Sequence, residues 1–148
     1  MNEHNEKQAE HYAKQYQSVK PNVNISKDAD LWEWARWYPL FVLEDFFRTM
    51  SGRSAVVTCC GSGRELGMLH KYGIKLTATD LTIEQLSDFV RDKIVERAEI
   101  QNAERLSYAD DSFDYGFVYA GLHHLAHPHA GLCELMRTGR EAAIFIEP

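Results

Sequence analysis

The sequence predicts an α/β fold, a doubly wound parallel sheet whose strands alternate with helices. Three observations predict it. The stretch Ser54 to Leu69, SAVVTCCGSGRELGML, passes from β-branched and small apolar residues into a glycine turn and then into a helical pattern. Ile74 to Thr79 alternates apolar and polar residues and closes on Asp80, as a strand with an acid at its carboxyl end does. The later strand-length runs, Phe113 to Ala120 and Ala142 to Ile146, are separated by a helical pattern, which calls for parallel strands joined by right-handed crossovers.

The totals fit one such domain. The chain has 148 residues, 45% hydrophobic and 26% charged, the balance of an ordinary globular protein able to bury a single core. A net charge of −6 argues against a general nucleic-acid binder. Cys59, Cys60 and Cys133 are too few and too odd in number for a disulfide framework, and a reducing, cytoplasmic setting is expected. The N-terminus is polar and lacks the apolar region of a secretory signal, and no apolar run reaches the length of a membrane span.

The elements follow in order. Tyr12, Tyr16 and Val19 mark the narrow apolar stripe of a short helix, either a frayed terminus or a lid over a ligand. After the loop Pro21 to Lys27, Asp28 or Asp30 caps a helix from Leu31 to about Tyr38. Pro39 opens a second helix, Leu40 to Met50, which Ser51-Gly52 ends. Trp34, Trp37, Phe41 and Val42 read as a core between these helices or as a wall of the site.

Gly61 and Gly63 let the backbone turn sharply and a ligand lie against it, with helix N–H groups facing an anionic group there. Leu66, Leu69 and Tyr72 share the inward helix face, and Gly73 ends it. Asp80 either accepts hydrogen bonds from ribose hydroxyls or caps the next helix, where Thr82-Ile83-Glu84-Gln85 offers a rival cap. That helix is expected from Ile83 to about Ala98, with Leu86, Phe89, Val90 and Ile94 inward.

A short third strand is expected over Glu99-Ile100-Gln101, leading into Asn102-Ala103-Glu104, and Asp110-Asp111-Ser112 forms a turn. Gly116 inside the fourth strand predicts close packing or a bend. Gly121 then turns the chain into Leu122-His123-His124-Leu125. Pro128 starts a helix with Leu132, Leu135 and Met136 inward and Glu134 and Arg137 outward, and Gly139 stops it. The expected strand order is 3-2-1-4-5. It puts a ligand crevice between strands one and four, with Gly61, Asp80, Asn102 and Ala120 at its edge.

The segments CCGSGRELG, TATDL, NAERLSYADDSFDYGFV, LHHL and FIEP together resemble a class I S-adenosylmethionine-dependent methyltransferase, from about Val56 to Pro148. The resemblance implies a Rossmann-like domain over residues 53–148, a helical cap over 1–52, and S-adenosyl-L-methionine as cofactor. It implies that Cys60, Gly61, Ser62 and Gly63 line the methionine end, Asp80 takes the ribose hydroxyls and Leu81 packs on adenine. Asn102, Ala103 and Glu104 then sit at the adenine edge, and Ala120 near the sulfonium.

The chain departs from the family at four places, one of them Asn102 for the usual Asp, whose amide oxygen can still accept from the adenine amino group. Val57 stands where an acid is usual, which removes an indirect anchor for the methionine ammonium. Cys59 stands where glycine is usual and crowds the turn. The family's C-terminal hairpin with strands six and seven is not seen in this sequence, so strand five is expected to be an apolar edge: either the chain is a fragment of a longer one, or a partner such as a second copy covers that edge.

The expected reaction is methyl transfer to a small-molecule or sugar-type acceptor, in which the protein mainly aligns the attack and removes water. His123 and His124, after strand four, are the candidate catalytic bases; packing and capping are their plainer roles. His123 and His127, four apart, can share a metal only on one continuous helix, and Pro128 argues against that, so no metal site is expected. Two rivals stand beside this reading. One is a nicotinamide-dinucleotide oxidoreductase, although Gly61, Gly63 and Gly67 space one residue wider than its fingerprint. The other is a non-catalytic binding module that keeps the fold.

Overall fold

The computed structural model describes residues 38–147. The expected features at Tyr12, Tyr16, Val19, Trp34 and Trp37, and most of the 1–52 cap, lie outside the described residues. After a helical turn over 38–42, helix α1 spans Glu44–Thr49. Strand β1 (Ser54–Thr58) leads through the glycine loop into α2 (Arg64–Lys71), and β2 (Lys75–Asp80) follows. A 3-10 turn (Glu84–Leu86) runs into α3 (Ser87–Arg91), then β3 (Arg97–Ile100) and β4 (Phe113–Tyr119). A second 3-10 turn (Leu122–His124), α4 (Pro128–Thr138) and β5 (Gly139–Ile146) complete the described chain.

The sheet has five strands in the order β3-β2-β1-β4-β5, all paired in parallel. Side chains alternate across it, and β1 shows why it must be covered twice. Ala55 and Val57 join one buried cluster with Phe47, Leu66, Leu69, Phe89 and Phe117. Val56 joins another on the opposite face with Phe113, Val118, Leu122 and Leu135. Helices α1 to α3 cover the first face and α4 the second. α4 sits flush on β4 because a Cβ at Gly116 would stand 2.7 Å from the Leu135 carbonyl oxygen, the close packing expected of that glycine.

Six expectations need correction. The helix expected from Ile83 to Ala98 is only a 3-10 turn and the short α3, because Lys93 takes a left-handed backbone (φ 58°) and the chain then joins β2. β3 starts at Arg97, paired with Thr77, so Ala98 belongs to the sheet. Met136 is 63% exposed: the buried stripe of α4 is Gly131, Leu135 and Thr138, and Met136 is turned a further 100° away from Leu135. Glu134 and Arg137 do not simply face water, since Glu134 accepts the Leu106 N–H at 2.7 Å and Arg137 donates to the Tyr108 and Leu106 carbonyls. Together they fasten the β3–β4 connection to α4. β5 begins at Gly139 rather than Ala142; that residue both ends α4 and opens the strand, where a Cβ would lie 2.6 Å from the Gly116 nitrogen. Phe41 and Val42, offered as core, are 40% and 62% exposed.

Candidate functional site

The C-terminal edge of the sheet is where four connecting segments meet. Asp80, the last residue of β2, reaches across to the glycine loop, and its Oδ2 accepts the Gly61 N–H at 2.7 Å. Its Oδ1 accepts the Leu81 N–H at 2.8 Å, so the same carboxylate also caps the turn that follows. Burial raises its pKa, opposed by these N–H bonds from Gly61, Thr82 and Leu81.

Gly63 holds a left-handed backbone (φ 66°) just before α2, and a Cβ there would strike Phe89 at 2.7 Å. Cys60 is buried, with Sγ 3.2 Å from the Val57 carbonyl oxygen. Gly61 has open space where a Cβ would stand, and Ser62 is half-buried beside it.

The loops after β1 and β4 abut. Gly121 lies so close to Cys59 that a Cβ on it would sit 2.5 Å from that of Cys59. This settles how the turn takes a cysteine where glycine is usual: the missing side chain of Gly121 makes room. The cysteine keeps a left-handed backbone (φ 56°), and Ala120 at the end of β4 does the same (φ 49°). Such conformations in non-glycine residues cost of order 1–2 kcal/mol each, and the two positions directly follow the paired strands β1 and β4.

Two acids complete this edge, and sequence reasoning gave neither a role. Glu147 Oε1 accepts the N–H groups of Gly121 at 2.9 Å and Leu122 at 2.8 Å, while Oε2 pairs with His123 Nδ1 at 2.6 Å. Burial would raise its pKa, but the His123 contact and the two N–H donors win and lower it. A carboxylate oxygen can only accept, so Nδ1 donates to Glu147, and in the neutral ring Nε2 is then the acceptor. The His124 ring lies 4.0 Å from that of His123 between centroids, and burial lowers its pKa.

Glu65 lies in the first turn of α2. It is only 3% exposed, and its Oε1 has no hydrogen-bond partner. Burial, and then repulsion from Asp80, push its pKa up to about 8 against the pull of its own N–H, Cys60 and Arg64. Burial is also the main cause that raises the Cys59 thiol, and the charges of Asp80, Glu147 and Glu65 add to it. Three carboxyl groups from α2, β2 and the end of β5 therefore bear on one point at the end of β1. The signal for Glu65 was an acid beside the inward positions Leu66 and Leu69; for Glu147, an acid directly after the last strand.

The remaining expected site residues sit one strand further out. Asn102 Oδ1 accepts the Glu104 N–H at 2.9 Å, forming a local turn, and Ala103 is buried. Glu104 accepts the His127 N–H at 2.8 Å and faces His127 Nδ1 at 3.1 Å, which ties the β3 loop to the start of α4. His123 lies in a 3-10 turn and His127 at the cap of α4, each with its own carboxylate partner, so they share no helix face. Among the described residues no cluster of His, Cys, Asp and Glu is arranged to hold a metal ion, and no helix is long and apolar enough to cross a membrane.

Solved structures share this fold. An S-adenosylmethionine-dependent methyltransferase from Aquifex aeolicus superimposes with a TM-score of 0.59 at 22% identity, covering 74% of this chain and 62% of that one. The PH0226 protein from Pyrococcus horikoshii gives 0.66 at 16% identity, covering 89% and 64%. A putative sarcosine dimethylglycine methyltransferase from Galdieria sulphuraria gives 0.66 at 11% identity, covering 90% and 56%. The chain thus spans less than two-thirds of the length of each. No curated protein sequence matches it. A family model described as a methyltransferase domain matches residues 57–146, from the end of β1 to the end of β5. With that match over most of its length and the five-stranded sheet to go with it, the chain belongs to the methyltransferase domain family.

Proposed function

We propose that this chain binds S-adenosyl-L-methionine at the C-terminal edge of the sheet and takes part in methyl transfer to a small-molecule or sugar-type acceptor. The observation that carries the reading is that two acids hold the loops at the end of β1: Asp80 accepts the Gly61 N–H, and Glu147 accepts the N–H of Gly121, which packs against Cys59. An edge carrying the Asp80 and Glu147 carboxylates suits a ligand with a positive sulfonium and a positive ammonium. It opposes the pyrophosphate of a nicotinamide dinucleotide, the rival ligand for a strand–glycine-turn–helix unit.

The residues present fit the cofactor in detail. Gly61 leaves open space where its side chain would stand, and Cys60, Ser62 and Gly63 complete the wall for the methionine end. Asp80 is bonded to the loop that would cover the ribose, with carboxylate lone pairs left for its hydroxyls. Leu81 is half-buried beside it as an apolar contact for adenine. Asn102, Ala103 and Glu104 form the outer wall, and Ala120 lies at the β4 end beside the sulfonium position.

When bound, S-adenosylmethionine supplies an activated methyl group, so the chain's own work is to position and to handle a proton. His123 is the candidate base. Glu147 holds its Nδ1, which directs Nε2 outward to take a proton from an acceptor hydroxyl or amine. His124, against it, is held more neutral by burial and is the second candidate. The three free thiols suit a reducing cytoplasm. Among the described residues β5 pairs only with β4, and its free edge suits a second copy of the chain.

Thermal-shift titration with S-adenosylhomocysteine and with nicotinamide dinucleotide tests this reading. Stabilisation by S-adenosylhomocysteine alone is expected. Stabilisation by the dinucleotide alone contradicts it, and a flat response to both supports a module without cofactor.

A further inference from the structure

We propose that Glu65 is the counter-charge for the α-ammonium of the cofactor's methionine arm, and that it selects ligands carrying that arm over neutral adenosyl compounds. The inference rests on the cofactor reading above.

Its first support is the cost of the residue where it stands. Glu65 is 3% exposed, next to Leu66 and Leu69 in the apolar cluster against the sheet, and Oε1 has no partner. An orphaned buried oxygen costs about 1–3 kcal/mol, which a leucine at this position would avoid. Its place in the first turn of α2 recovers only about 0.3–1 kcal/mol through the helix dipole, and only when ionised.

The second support is what surrounds it. The groups facing it are Asp80 from the end of β2, Cys60 from the glycine loop, and Arg64 on its own helix. Asp80 raises the cost of ionisation more than the exposed Arg64 lowers it. Among the described residues none donates a hydrogen bond to Oε1, and the side chain bears on the same strand end as the rest of the site.

The third support is ligand chemistry. Oε1 needs both a positive charge and a hydrogen-bond donor. A sulfonium carries three carbon substituents and donates nothing. An ammonium carries three N–H donors and a full charge, and a charge-assisted bond of this kind is about twice as strong as a neutral one. The arm's carboxylate would be repelled. Val57, the strand position next to the loop, is wholly buried and apolar, and its carbonyl faces Cys60, which neighbours Glu65. The acid thus comes from the helix rather than from the strand.

Binding of a cation then changes the protonation of Glu65. Held near pKa 8 in the free chain, the carboxyl is mostly protonated at neutral pH. An ammonium beside it favours the ionised form, so the proton passes from Glu65 to buffer as the ligand binds.

Isothermal titration calorimetry near pH 7, in two buffers of different ionisation enthalpy, tests this on the wild-type chain and on Glu65→Gln. The probes are S-adenosylhomocysteine, which carries the ammonium, and 5′-methylthioadenosine, which lacks the arm. The wild type is expected to release a fraction of a proton with the first probe and none with the second. Glu65→Gln is expected to abolish that release, to weaken S-adenosylhomocysteine by about tenfold or more, and to change 5′-methylthioadenosine by less than about twofold. Equal loss for both probes, an unchanged affinity for both, or proton release that survives the substitution overturns the proposal. Should Glu65→Gln fail to fold, the wild type decides alone: equal proton uptake or release with the two probes refutes it. If the wild type binds neither probe, the cofactor reading falls too; if it binds S-adenosylhomocysteine but Glu65 proves indifferent, only this inference falls.

Discussion

The two edges of the sheet treat a buried carboxyl group in opposite ways. At the N-terminal edge, Asp114 accepts the Ser54 N–H at 2.8 Å, the Ser54 hydroxyl at 2.9 Å and Arg53 at 3.0 Å, and is also held by Arg140. Those hydrogen bonds, led by the Ser54 N–H, hold its pKa well below the usual carboxylate range. At the C-terminal edge, Glu65 has an oxygen with no partner and a pKa raised to about 8. One acid staples β1, β4 and β5 together; the other weakens the fold. A chain that tolerates the second while perfecting the first is spending stability at the end where the proposed cofactor site lies.

The comparison can be broken at its stable end first. Asp114→Ala removes the shared partner of Arg53 and Arg140 and leaves the Ser54 N–H unsatisfied, for an expected loss of about 2–4 kcal/mol by chemical denaturation. Because the folded pKa of Asp114 is depressed, its stabilisation is present above the unfolded carboxylate pKa and is lost as pH falls below about 4. An acid melt of the wild type should show that loss, and the Ala variant should not.

Gly121→Ala comes next. Its new methyl group would stand 2.5 Å from the Cys59 Cβ, and overpacking of this kind costs about 1–3 kcal/mol. Cys59→Gly in the same chain should restore part of that loss, a coupling that a double-mutant cycle measures. If the two changes simply add, the loops after β1 and β4 do not abut as described.

Glu65→Gln acts with the opposite sign. A carboxyl whose folded pKa is raised binds its proton more tightly when folded, so the wild type loses stability as pH rises from about 4.5 toward 8. The amide variant should lack that slope and gain about 1–2 kcal/mol at pH 8 in the absence of ligand. A pH series of unfolding curves checks both. The smallest effect belongs to Cys59→Gly alone, which relieves a left-handed backbone but gives up side-chain contacts. A change within about 1 kcal/mol is expected.

Much of this was legible in the sequence. Periodicity and glycine spacing marked β1, α2, β2 and β4 because each is buried on one or both faces, and the strand order followed from the alternation. β3 was blurred because Glu96, Arg97 and Glu99 look like a solvated helix face; an outer strand with Arg97 and Ile100 exposed shows no apolar run. In the site, Asp80 and the glycines stood out because their residue types are rare at such positions without a reason. Glu65 did not, because an acid in the first turn of a helix is ordinary until the fold shows that it points inward. Glu147 was visible only as part of FIEP, since its work depends on β5 delivering it to the loop after β4.

The most direct measurement is a carbon-13 titration of the Glu65 side-chain carboxyl, with and without saturating S-adenosylhomocysteine. The account predicts a midpoint near 8 in the free chain that drops by at least about 2 units with ligand, as a cation settles beside it. A midpoint that stays put on binding, or that rises, would contradict the claim that this edge of the sheet is built to receive positive charge.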